Sequence, residues 1–270
     1  MSGPVVALTG ATGGIGSAVA KAYASRGARL ILIGRDEAKL TSLRHALPGE
    51  GHSTRCVDLS SLTETRRLAA DIRAAAPTLD ILLNVAGVLH GERRETAEGH
   101  EETLAVNLLS PILLTQELAP ALATSGRGRA VMTGSGAINF VRDVSPNDLQ
   151  SRSRKPGLTG AYAASKAWLT LWAFTADLPG VTAAVADPGG TKTDMTAQSS
   201  LPWFVRLLRP LIMHDPDIAS RAFIAAGLDL EPAEIAGRIV MPKKVVTAKP
   251  RFTAAAAGQA LRTAISPMIE

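Results

Sequence analysis

Short apolar runs alternate with amphipathic stretches from the start of the chain. Val5–Leu8, Leu30–Ile33, Arg55–Val57, Ile81–Leu83, Ala130–Thr133 and Val181–Ala186 have the length and aliphatic content of strands. Between them, Gly14–Arg26, Glu37–Leu47, Leu62–Ala75, Gly99–Leu122 and Gly160–Leu178 are long enough for helices. A helix between two strands makes a crossover, and crossovers impose parallel strands covered on both faces. The pattern therefore predicts an α/β fold, a doubly wound parallel sheet of the Rossmann type. No internal repeat or low-complexity linker interrupts it, so residues 1–270 read as a single dinucleotide-binding domain.

Two segments break the rhythm. Ser135 to Thr159 is polar and turn-rich, with Pro146, Asn147, Asp148 and Pro156, and reads as a long irregular loop. The second, about 189–215, holds the apolar stretch Leu201–Met213, with Trp203 and Phe204 near its start and Pro202 and Pro210 framing it. Both follow carboxyl ends of predicted strands, where ligands bind in open α/β sheets. The second segment is expected to be a substrate-loop lid over an apolar pocket, with membrane-surface contact as the alternative. The tail, about 247–270, is expected to be partly disordered.

Composition narrows the classes. Hydrophobic content is 46% and aromatic content 4%, so helices are expected to pack through small side chains. The net charge of +5 comes from scattered residues; the densest basic group, Arg142, Arg152, Arg154 and Lys155, lacks interleaved aromatics, and no nucleic-acid partner is expected. The single cysteine, Cys56, excludes an internal disulfide and is expected to be a buried, inert thiol in a strand. His45, His52, His90, His100 and His214 show no ligand spacing, so no metal is expected. No secretory signature opens the chain and no apolar run is of bilayer length, which makes a cytoplasmic location the expectation.

The candidate chemistry starts at Thr9-Gly10-Ala11-Thr12-Gly13-Gly14-Ile15-Gly16, between the first strand and the first helix. Glycines there let the backbone turn tightly and approach a pyrophosphate, and the helix N-terminus offers free N–H groups. The second strand ends at Gly34, followed by Arg35 and Asp36. Arg35 is placed to neutralise a ribose 2′-phosphate, which favours NADP(H) over NAD(H); Asp36 is read as the cap of the helix beginning at Glu37. Tyr162 and Lys166 lie one helical turn apart, and a cation beside a phenol is expected to favour the phenolate.

Together these pieces resemble the short-chain dehydrogenase/reductase family in its shorter form, from Val5 to about Met195, with weaker cover to Val240. Thr9-Gly10 with Gly14-Ile15-Gly16 resembles the family's cofactor loop, and Asp58-Leu59 the pair that contacts adenine. Asn84-Val85-Ala86-Gly87 resembles the Asn-Asn-Ala-Gly motif, and Pro188-Gly189 followed by Thr193 the segment beside the nicotinamide. The resemblance implies a catalytic tetrad of Asn107, Ser135, Tyr162 and Lys166, with Asn107 anchoring a relay water. It also implies cofactor contacts by Tyr162 and Lys166 and a small-molecule carbonyl or alcohol substrate. Departures are Val85 for the second Asn, Gly134 for a usual serine, Thr12 for a basic residue and Thr191 for an aliphatic. The long interval from Ser135 to Tyr162, and Glu98-Gly99-His100-Glu101, are similar to the retinol dehydrogenase and carbonyl reductase subset. The substrate is expected to be hydrophobic or bulky, and a homo-oligomer is left open. The other readings are a non-catalytic dinucleotide-binding sensor or scaffold, and a sugar epimerase or dehydratase on a related fold.

Overall fold

The computed structural model describes residues 3–191 and 214–270. All six expected strands form: β1 (Val5–Thr9), β2 (Arg29–Gly34), β3 (Ser53–Cys56), β4 (Ile81–Asn84), β5 (Gly128–Thr133) and β6 (Val181–Ala186). Two more follow, β7 (Arg238–Met241) and β8 (Lys244–Thr247), completing an eight-stranded sheet in the order β3-β2-β1-β4-β5-β6-β7-β8. Pairings are parallel except the β7–β8 hairpin. Strand order reverses between β1 and β4, which opens a crevice at their carboxyl ends.

Alternation along each strand splits the core in two. Leu82 joins the face covered by α3 (Leu62–Ala75), α5 (Ser110–Thr124) and α6 (Ala161–Thr175), while Ile81 and Leu83 join the face covered by α1 (Gly14–Ala24). Both faces are buried, so each central strand is apolar at nearly every position.

α4 (Glu102–Leu104), a π-turn at Ala105–Leu109 and α5 run as one helix, Glu102–Thr124. It is long and apolar enough to cross a membrane, contrary to the expectation that no stretch would be, but 78% of its apolar window is buried inside the fold. The sheet-facing side accounts for the composition: this is the core helix behind β4 and β5.

Three further expectations are corrected, for the tail, for Cys56 and for the segment after Ser135. The tail is ordered: α7 (Pro216–Ile224) and the one-turn α8 (Pro232–Ile235) lead to β7, and after β8 the chain ends in α9 (Ala255–Ile269). Leu261, Ile265 and Ile269 of α9, spaced four apart, are buried against the core, and Arg262 donates to the Thr175 carbonyl of α6. Trp168 and Trp172 are each 1% exposed, so they serve core packing within one chain. Cys56 is exposed because β3 is the sheet edge.

The segment after Ser135 is built rather than irregular. It forms 3₁₀ turns at Gly136–Phe140 and Pro146–Asp148, and buries Val141, Val144 and Leu149. Trp168 Nε1 donates to the Val144 carbonyl at 3.1 Å, and the Arg154 guanidinium lies 5.1 Å from the Trp168 ring centroid.

Glu98 ties the loop after β4 to the start of α3. Its carboxylate accepts from Ser61 Oγ at 2.8 Å, Leu62 N at 2.7 Å and Thr63 N at 3.1 Å. Burial alone would raise its pKa, but these donors outweigh burial and hold it at about 2. The folded value is depressed, so the stabilisation is complete above the ordinary value of 4.5 and is lost as pH falls toward about 2. Glu98→Gln is expected to lower Tm at neutral pH and to flatten the fall of stability across that acid window, measured by thermal denaturation at a series of pH values.

Candidate active site

The glycine loop takes the shape its sequence requires. Gly10 has φ +66, and a Cβ there would come within 2.8 Å of the Ala86 Cα and N. A Cβ on Gly16 would enter the space of the Gly10 carbonyl oxygen. Gly13 is the N-cap of α1 and brings no side chain, so the first-turn N–H groups of Gly14, Ile15 and Gly16 have no side-chain cap. The first turn carries no acidic residue. A bare helix N-terminus behind closely packed glycines is a cradle for an anionic pyrophosphate. Thr9 Oγ1 accepts from Val85 N and Ala86 N at 3.0 and 3.1 Å, which holds the β4 loop, with Ala86 and Gly87, beside it.

The other expected cofactor residues line the same edge. Arg35 follows the last residue of β2 and is exposed. Asp36 is taken up as the α2 (Glu37–Ala46) cap, accepting from Lys39 N at 3.0 Å. Among the described residues no carboxylate forms an ion pair with Arg35. Thr12 Oγ1 would lie 3.4 Å from a Cβ on Gly34, so the loop and the β2 end are in contact. Asp58, after β3, is exposed and accepts from Ser60 N at 2.9 Å, while Leu59 is buried. Asn84 is placed differently: its amide is buried and donates to Thr115 Oγ1 and Met132 Sδ, toward α5 and β5 rather than the crevice. Gly189 has φ +70, and Pro188 is buried beside it. Thr193 and the Leu201–Met213 stretch lie outside the described residues.

At the end of β5, the Ser135 hydroxyl lies beside the Tyr162 phenol, near enough to favour its ionised form. Ser135 Oγ also accepts from Ala137 N at 3.2 Å, which fixes its rotamer. Lys166 is 2% exposed, and its Nζ donates to the Thr133 carbonyl at 3.1 Å and lies 5.9 Å from the Tyr162 ring centroid. Asn107 sits in the π-turn, a helix irregularity that recurs at functional sites. Its Oδ1 accepts from Val88 N at 2.8 Å, and its Nδ2 donates to the Val88 carbonyl at 2.9 Å and to Ser165 Oγ at 3.2 Å. The side-chain amide is therefore committed to protein partners, and it pins the β4 loop to α6.

The electrostatics correct one expectation. Burial, together with the charge of Asp187, pushes the Tyr162 phenol up to about 12, and the Ser135 hydrogen bond opposes them. The Lys166 ammonium is directed at the Thr133 carbonyl, and burial is the largest influence on the phenol. Burial lowers Lys166 itself to about 8, with Asp187 opposing. Burial raises the Asp187 carboxyl, and the Gly189 N–H, Lys166 and His214 oppose that rise. Asp187 and His214 were not singled out by sequence reasoning; the available signal was a carboxylate closing the apolar β6 run, directly before Pro188-Gly189.

Comparison with known proteins agrees with this architecture. Residues 4–146 match the family model described as short chain dehydrogenase. The mouse (Mus musculus) polyprenol dehydrogenase is 34% identical over 87% of this chain and 75% of its own length. Human (Homo sapiens) retinol dehydrogenase 13 is 31% identical over the same shares of each chain, 87% and 75%. A metagenomic short-chain oxidoreductase solved in complex with NADP superposes with a TM-score of 0.66 at 25% identity, over 92% of this chain and 99% of that one. A doubly wound sheet, a bare helix N-terminus at its switch point and these matches together mean that the chain belongs to the short-chain dehydrogenase/reductase family of oxidoreductases.

Proposed function

We propose that the protein reduces a carbonyl compound to the alcohol, reversibly, with NADPH as reductant and Tyr162 as proton donor. The observation that carries this reading is the placement of Ser135 beside Tyr162, with buried Lys166 behind them, on the same sheet edge as the glycine cradle. When bound, the nicotinamide supplies the hydride. Ser135 Oγ would donate to the substrate oxygen and orient it. Tyr162 Oη would give its proton to the developing alkoxide, and a phenol held protonated up to about 12 is suited to donating. Lys166 Nζ, fixed by the Thr133 carbonyl, would hold the nicotinamide ribose. Asn107 would keep the β4 loop and α6 in register under these groups.

NADP(H) preference rests on Arg35, which stands at the β2 tip while Asp36 is spent on the α2 cap. The substrate class rests on the apolar stretch at 201–213 and on relatives named for polyprenol and retinol. The test is consumption of NADPH and of NADH against a panel of ketones and aldehydes, including long apolar ones. Turnover with NADPH on apolar carbonyls supports the reading; no turnover of any carbonyl or alcohol with either cofactor overturns it. In the same assay, Arg35→Ala is expected to raise KM for NADPH about tenfold, equivalent to ~1.4 kcal/mol, and to leave KM for NADH nearly unchanged.

A further inference from the structure

The amino ends of β5 and β6 border a second cleft, on the sheet edge opposite the catalytic one. Its volume is about 460 Å³, the size of a small-molecule site. It is lined by Arg127 and Arg129 at the start of β5, by Thr182 of β6, and by Glu231 and Pro232 where α8 begins. Arg129 is the one charged side chain of β5, and it is 9% exposed. Val131, two residues on, lies in the core layer under α1, so the Arg129 side chain leaves the sheet on that face. Its Nη1 donates at 2.9 Å to the Ala226 carbonyl, in a π-turn at Ala225–Asp229. Among the described residues the guanidinium makes no other hydrogen bond and no ion pair. The neighbouring carboxylates are committed to other arginines. Asp80 accepts from Arg127 Nε at 3.0 Å and from Val5 N at 2.8 Å, and Asp229 pairs with Arg26 at 2.7 Å. Glu231 lines the cleft without pairing with Arg129. Thr182 stands directly beside Arg129 in the β5–β6 register, and its hydroxyl has no hydrogen-bond partner among the described residues.

Burying a cation is costly unless its donors are satisfied. One carbonyl satisfies one N–H of the guanidinium, and Nε and Nη2 are left without a protein acceptor. A planar fork of N–H groups matches the two oxygens of a carboxylate or a phosphate. We propose that this cleft binds a small oxyanion, a carboxylate or a phosphate group, on the Arg129 guanidinium with the Thr182 hydroxyl as a second donor. Arg127 is exposed at the same lining and adds positive potential. The negative charge of Glu231 in that lining disfavours polyanions, so the ligand is of low charge. The site lies apart from Tyr162 and the glycine cradle and does not depend on the reading of either.

The test is isothermal titration of the full chain with inorganic phosphate and, separately, with malonate. The glycine cradle is also suited to phosphate, so each titration is repeated with NADP⁺ in excess and in Arg35→Ala. The expected result is one site for at least one of the two anions, with affinity retained under both controls. Arg129→Gln is expected to weaken that binding by about tenfold or more, and Thr182→Val by about threefold. Binding of phosphate alone assigns the cleft to phosphorylated ligands, and binding of malonate alone to carboxylates. Where Arg129→Gln does not fold, Arg129→Lys keeps the charge and loses the fork, while Thr182→Val leaves the arginine in place; unchanged affinity in both overturns the proposal. So does binding that disappears under either control, which places the anion in the cofactor cradle. A wild-type chain that takes up neither anion at millimolar concentration also overturns it, and lower stability in Arg129→Gln would then assign Arg129 to holding the π-turn alone.

Discussion

Tyr162→Phe is expected to lower reductive turnover by about 10²–10⁴-fold, the range a positioned general acid contributes, while NADPH affinity stays within about twofold. The reasoning is geometric. The substitution removes one oxygen, the atom beside the Ser135 hydroxyl, and leaves the ring in place on α6. The glycine cradle, Arg35 and Lys166 are untouched, and Lys166 keeps its bond to the Thr133 carbonyl. Removing the oxygen also removes a desolvated polar group, so the fold is expected to be no less stable. Single-turnover stopped-flow kinetics with NADPH, beside a fluorescence titration of NADPH binding, separate the two effects. Wild-type-like turnover would remove Tyr162 from the chemistry; lost binding with a matching loss of turnover would make it a binding residue instead.

Much of this fold was legible because its signals are local. Each central strand is an unbroken aliphatic run, since sheets covered on both faces need apolar residues at every position. The glycine loop and the Asp36 cap could be read because turn and cap chemistry depends on near neighbours. What escaped depends on tertiary context. β8 is a short edge strand of which Lys244, Val245 and Thr247 are exposed, so it carries little periodicity. α9 is alanine-rich with Pro267 near its end, and its stripe of Leu261, Ile265 and Ile269 gains meaning only against α6. Cys56 reads as buried in any strand but lies on the edge one. At the site, spacing placed Tyr162 and Lys166 together, but the upward push on the phenol comes first from burial, which only the packed fold creates. Asn107 could be named by resemblance, whereas the commitment of its amide to Val88 and Ser165 follows from the π-turn.

Gly16→Ala is expected to abolish measurable NADPH binding, a loss of about 100-fold or more in affinity, with a smaller loss of stability. Gly16 lies inside the first turn of α1, where alanine is ordinarily the better helix former by about 1 kcal/mol. Propensity therefore predicts a gain, and the packing predicts the reverse. The added methyl would enter the space of the Gly10 carbonyl oxygen and reach within 3.0 Å of Ala11 Cα. Those atoms are backbone, so no side-chain rotation relieves the clash. Gly10 cannot retreat cheaply, because it already faces Ala86 at close range with φ +66. The relief left is to move the helix start away from the loop, and that separates the first-turn N–H groups from the place where a pyrophosphate would lie. Gly13 offers the control in the same loop: a Cβ there would sit 3.4 Å from the Gly10 oxygen, a contact a small shift can absorb. Isothermal titration of NADPH into Gly16→Ala and Gly13→Ala, with thermal denaturation of each, makes the comparison. Near-wild-type affinity in Gly16→Ala would mean that the tight packing of the loop is not what holds the dinucleotide.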